Sequence, residues 1–83
     1  SDWFGTFIPY DNGWLYHADF GWLYVVQDGT SGLWAWKKNS GWHWTSQGIF
    51  PHIYRNDTKA WLYFLASKEG QPYFYNHATG SVE

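Results

Sequence analysis

Cysteine is absent from this chain of 83 residues, and so is methionine. Without thiols there is no disulfide, no thiolate metal site and no cysteine nucleophile. Charge is scarce as well: charged residues make up 14% of the sequence and the formal net charge is -2. The five basic residues, Lys37, Lys38, Arg55, Lys59 and Lys68, are scattered. They form no patch that could track the phosphates of a nucleic acid or hold an anionic bilayer surface. No run approaches the ~18 apolar residues of a spanning helix, so membrane insertion is not expected. No signal peptide is visible. The sequence opens on Ser1 rather than Met, which points to a piece of a larger multidomain protein.

Catalytic chemistry is equally thin. His17, His43, His52 and His77 show neither the His-x-His nor the His-x3-His spacing of a metal site and read as strand and turn residues. No paired carboxylates or nucleophile motif appear. Asp28 to Gly32 lacks the regular oxygen spacing of a calcium loop, and the sequon Asn56-Asp57-Thr58 reads as a tight turn. The expectation is a protein that is not an enzyme, with no catalytic residue, cofactor or metal.

What the chain has is aromatic residues: eight Trp, seven Tyr and six Phe, 25% of the sequence. At ~200 Å² each, those rings carry roughly 4000 Å². A chain of this mass buries on the order of 9000 Å² on folding, so composition alone forces no ring outside. Position is more informative. Trp14-x-Tyr16 followed by Gly21-Trp22-x-Tyr24 recurs at an offset of 20 as Trp34-x-Trp36 followed by Gly41-Trp42-x-Trp44. A repeat of that length is one supersecondary unit copied along the chain. Its rings sit two apart, so within a strand they share a face.

No segment keeps a helical period; alternation with turn signals every eight to twelve residues predicts an all-β fold. Asp11 to Gly13, Asp19 to Gly21, Asn39 to Gly41 and Lys68 to Gly70 read as three-residue loops closed by glycine. These loops set Tyr10 opposite Trp14 and Ile8 opposite Tyr16. They also set Tyr16 opposite Tyr24 and Trp36 opposite Trp44, with the even-numbered rings on one face. The other face of the first repeat is aliphatic (Leu15, Leu23, Val25). That of the second carries Ala35, Lys37, His43 and Thr45, which suits solvent. The last hairpin is apolar on both sides: Trp61, Tyr63, Leu65, Tyr73 and Tyr75 on one, Leu62, Phe64 and Phe74 on the other. It is expected to lie centrally or be covered, with a longer loop than the other repeats. Phe50 to Tyr63 echoes Phe7 to Tyr16 as a second copy of an entry segment. Residues 1–83 are thus expected to form a single domain, an antiparallel meander of about eight short strands. Closure as a barrel, folding as a sandwich and winding as a solenoid all fit the pattern.

The run Gly21-Trp22-Leu23-Tyr24 with Gly41-Trp42-His43-Trp44-Thr45 resembles the aromatic, glycine-punctuated hairpin repeats of secreted bacterial surface proteins. These include the choline-binding repeats of cell-wall hydrolases and, closer still, the Trp/Tyr-rich C-terminal modules of marine bacterial secreted proteins; the likeness is to choline-binding repeats and to carbohydrate-binding modules. The likeness covers residues 13–76, although the Met-x-Thr-Gly ending of a choline repeat is missing. It implies a secreted or cell-surface location and places Trp34, Trp36, Trp42 and Trp44 on the repeat's aromatic positions. Locally, Trp61 followed by Gly70-Gln71-Pro72-Tyr73-Phe74-Tyr75-Asn76-His77-Ala78-Thr79 resembles the first two strands and second turn of a WW domain. That domain's third strand and second Trp are not expected here.

Sugars offer a face of C–H groups that stacks on an aromatic plane, with rim hydroxyls bonding nearby polar side chains. Uncharged ring faces suit a neutral polysaccharide as aromatic platforms suit bases. The expected ligand-binding residues are Trp34, Trp36, Trp42 and Trp44, with Trp14 and Trp22 as their equivalents and Asn39 and Gln47 alongside. A cation–π cage for a quaternary ammonium would use the same rings. Alternatively the rings are all core, in a surface-anchoring, sorting or adhesion domain. Proline-rich peptide binding through Tyr73 is a third possibility.

Overall fold

Left-handed turn residues reverse the chain at short intervals, and in the computed structural model, which describes residues 3–83, the result is one nine-stranded antiparallel sheet. The strands are β1 (Phe7–Pro9), β2 (Trp14–His17), β3 (Gly21–Asp28), β4 (Gly32–Lys37), β5 (Gly41–Ser46), β6 (His52–Arg55), β7 (Ala60–Lys68), β8 (Gln71–Asn76) and β9 (Ser81–Val82). Each pairs with its sequence neighbours and with no other strand, a pure meander. β1 and β9 remain at the two edges, so the sheet does not close into a barrel. The described residues contain no α-helix, and one turn of 3-10 helix at Asp11–Gly13 joins β1 to β2.

The two turns inside the repeats, after β2 and after β4, differ from expectation in the same way. Tyr16 lies opposite Trp22 and Trp14 opposite Tyr24; Trp36 lies opposite Trp42 and Trp34 opposite Trp44. In both, the glycine that was expected to end the loop instead begins the returning strand, with Gly21 facing His17 and Gly41 facing Lys37. This moves the register by two, and an even slip leaves every side chain on its own face. Gly41 shows why glycine is needed: its φ is +81°, and a Cβ there would run into the Asp57 carboxylate. The expected pairing of Ile8 with Tyr16 is present. The last hairpin has the shortest loop rather than a longer one. Lys68 faces Gln71 across Glu69 and Gly70, both at positive φ, as in a type I′ turn.

One face of the sheet forms the core. Leu15, Leu23, Ala35 and Ile53 from the strands cluster with Phe4 and Phe20, and Phe7, Phe50, Phe64 and Phe74 pack against them. Phe4, Phe20 and Phe50 come from segments outside the strands and fill the hollow of the curled sheet. Phe20 stacks on Phe74 at 6.2 Å and meets Phe64 edge-on at 4.8 Å. The β2–β3 turn thus reaches β7, where Ser67 Oγ donates to Asp19 Oδ1 over 2.6 Å. An accessible area of 5306 Å² is close to the ~5200 Å² expected for this mass. Curling lets one layer do what two layers usually do.

His17, completely buried, anchors the N-terminal segment. Its Nε2 lies 2.6 Å from the Phe4 carbonyl and must donate to it, while Nδ1 accepts from the backbone N–H of Asp19 at 3.0 Å. The ring is therefore the neutral Nε2–H tautomer. Burial lowers its pKa, against opposing effects of the Phe4 carbonyl and the Asp19 charge.

Two further expectations are overturned. The face carrying Ala35, Lys37, His43 and Thr45 is the inner one, with Ala35, His43 and Thr45 buried. A continuous meander keeps one parity inside through both repeats, and the polar groups find partners there. Thr45 Oγ1 donates to the His52 carbonyl over 2.8 Å, and His43 Nε2 shares a 3.0 Å hydrogen bond with Ser40 Oγ. The last hairpin is neither central nor covered: Leu62, Phe64 and Phe74 face inward, while Trp61, Tyr63, Leu65 and Tyr73 are exposed. A third strand does follow it as the two-residue β9, which carries no Trp.

Candidate functional site

Strand registers carry the even-numbered rings into rows that run across the outer face. Trp14, Tyr24, Trp36 and Trp42 are successive neighbours on β2 to β5. Val26, Trp34, Trp44, Tyr54 and Trp61 form a parallel row on β3 to β7. A shorter row, Ile8, Tyr16 and Trp22, crosses β1 to β3, and His52, Tyr63 and Tyr75 continue the pattern on β6 to β8. None of these side chains is acidic or basic apart from the imidazole of His52. Asp28, two residues on from Val26 in β3, brings one carboxylate to the margin of these rows.

Neighbouring rings on this face meet at steep angles. Trp14 and Trp36 lie 6.1 Å apart at 89°, Trp14 and Tyr24 5.6 Å apart at 61°, and Tyr16 and Trp22 5.3 Å apart at 72°. Edge-to-face pairs of this kind each contribute about 0.5–1.5 kcal/mol beyond area burial. The rings thus form a herringbone layer, neither a coplanar platform nor a closed cage. The layer helps hold the sheet and still presents rings to solvent.

All the sequence-predicted Trp residues lie on this face, but with unequal exposure. Trp22 is 51% exposed and Trp14 37%, while Trp34, Trp36, Trp42 and Trp44 are half-buried. The Trp44 indole N–H donates to Asp28 Oδ2 over 2.9 Å. A Cβ on Gly32 would lie 3.3 Å from that same indole nitrogen, so the ring covers the glycine closely. Asn39 and Gln47 are both exposed but do not converge. Asn39 lies in the β4–β5 turn and Gln47 just past the far end of β5, so the length of that strand, about 20 Å at ~3.3 Å per residue, lies between them.

The structure adds rings that the repeat did not single out. Tyr10 is 54% exposed and lies 5.0 Å from Trp22, which Tyr16 also touches, so three rings gather at the β1–β3 end. Trp61, 40% exposed, closes the far row against Tyr54 at 5.3 Å. Both were accessible to the same parity argument carried beyond the repeat. Between the two long rows, Val26, Trp34, Trp42 and Asn56 line a shallow depression. The chain matches no protein-family model, no curated protein and no solved structure.

Proposed function

We propose that this chain is a non-catalytic carbohydrate-binding module of a larger secreted or cell-surface bacterial protein, binding a neutral polysaccharide across the rings of its outer face. One observation carries the reading. The core is built by Phe, Leu and Ile on the inner face, while Trp22, Tyr10, Trp61 and Trp14 on the other face remain open to solvent. Stacking begins at Trp22 with Tyr10 and Tyr16 and continues over Trp14 toward the half-buried Trp36 and Trp42. Trp34 and Trp44 border the depression, and Asn39 and Gln47 provide polar contacts at the two ends of β5.

Affinity electrophoresis against a panel of neutral polysaccharides tests this. Retardation by at least one glycan is expected, and Trp22→Ala weakens it about tenfold, as loss of one stacked ring does. Trp36→Ala weakens retention and also lowers stability, because Trp36 supports Trp14 edge-on. A folded protein retarded by no glycan refutes the proposal.

The herringbone packing supports a second reading, in which the outer rings serve the sheet alone in a surface-anchoring, sorting or adhesion domain. On that reading Trp fluorescence is indifferent to every sugar, and Trp22→Ala changes stability only.

A further inference from the structure

The hollow of the sheet is not completely filled. A cavity of about 200 Å³ remains on the inner face, with Phe20, Leu23, Leu33, Ala35, Ile53 and Phe74 along its apolar walls. An enclosed apolar space of ~150 Å³ accepts benzene, so this one has room for a single ring or a medium-length chain with a polar head. It is too small for a sterol.

The polar groups of the lining cluster around the β4–β5 turn. Lys37, Ser40 and His43 all border the cavity. Lys37 Nζ donates over 2.7 Å to the Phe20 carbonyl, which engages one of the three donors of an ammonium. Among the described residues, no carboxylate lies within ion-pair distance of it, since the one ion pair joins Arg55 to Glu83. Arg55 and Glu83 also border the cavity but neutralise each other. His43 is buried and uncharged in the neutral range, its pKa lowered chiefly by burial. Charge at the cavity is therefore set by Lys37, a half-buried ammonium with donors to spare beside an apolar wall. A few convergent polar groups on an otherwise apolar concavity are the usual form of a small-molecule site.

We propose that this cavity binds a small apolar carboxylate, a single-ring or medium-chain acid. The carboxylate sits on Lys37 Nζ, with its apolar body among Phe20, Leu23, Ile53 and Phe74. No Trp borders the cavity, so the site is separate from the outer face and stands whether or not that face binds glycan.

Titration with benzoate and with octanoate, followed by NMR, tests the proposal. The Ala35 methyl and Thr45 signals are expected to move while the indole N–H signals of the outer face do not. Benzamide and octanol, which match the shapes without the charge, bind at least about tenfold more weakly, the scale of a charge-assisted hydrogen bond. Lys37→Met, which keeps an apolar stem of similar length, loses affinity for the acids by the same factor, whereas Lys38→Met at the neighbouring exposed position does not. Ala35→Leu fills the space and abolishes the shifts for both acids. Equal binding of acid and amide, shifts confined to the indoles, or no shift with either acid at millimolar concentration overturns it. The comparison of acid with amide uses the wild-type protein and holds even if Lys37→Met fails to fold.

Discussion

His17 concentrates several constraints in one ring. Both nitrogens are committed to backbone groups on different segments, and the ring packs against Phe4 at 4.6 Å and Phe20 at 4.5 Å. His17→Ala removes that packing and leaves the Phe4 carbonyl and Asp19 N–H without partners, at a cost of about 2–4 kcal/mol measurable by urea denaturation. A proton on Nδ1 would face the Asp19 N–H, so acid acts on the same bonds. The pKa values of His17 and His43 are both lowered from 6.5, first by burial. A depressed histidine leaves the unfolded chain binding more protons, so the associated stability is complete above about pH 6.5 and is lost as pH falls below it. Denaturation midpoints taken from pH 8 to pH 5 are expected to decline, and to decline less in a His17→Ala background. Gly41→Ala forces a side chain into the left-handed region against Asp57, and a loss of about 1–3 kcal/mol is expected by the same measurement.

Among the elements, the strands and their facing were legible in the sequence and the turns were only partly so. Rings spaced two apart fix which residues share a face, and that relation survives an even slip. Trp34 and Trp36 were therefore placed correctly although their partners were two residues out. The slip itself depends on whether a left-handed glycine ends a loop or begins a strand, and loop length alone does not decide that. β9 was invisible because two residues carry no period. It is held by Glu83, which accepts from Asn76 Nδ2 at 2.7 Å and pairs with Arg55. Those contacts, first the hydrogen bonds from Arg55 and Asn76, keep the Glu83 carboxyl below its usual range. Its contribution is present above that range and disappears as pH falls through the lowered value. Glu83→Gln is expected to speed amide exchange at Phe74 and Glu83, whose backbones bond reciprocally at 2.9 and 2.8 Å, with little change deeper in β3 to β5.

At the scale of the whole molecule, the sequence did not reveal which face turns inward in the second repeat. His43 and Thr45 look like solvent residues until the sheet curls and supplies their partners. The hollow was equally hidden, because its walls join Phe20 in a turn to Leu23, Ile53 and Phe74 on three different strands. The outcome is a sorting of rings in which phenylalanine fills the hollow and most indoles face outward. Acrylamide is therefore expected to quench most of the Trp emission of the folded protein, with the emission of Trp3, packed on the core, persisting longest. A meander left open also has two margins where another chain could add on. Here one margin is the three-residue β1, which ends in Pro9, and the other is the two-residue β9. The β1 margin offers no row of free amides long enough to template ribbon growth, so fibrils seeded from that edge are not expected despite the aromatic surface.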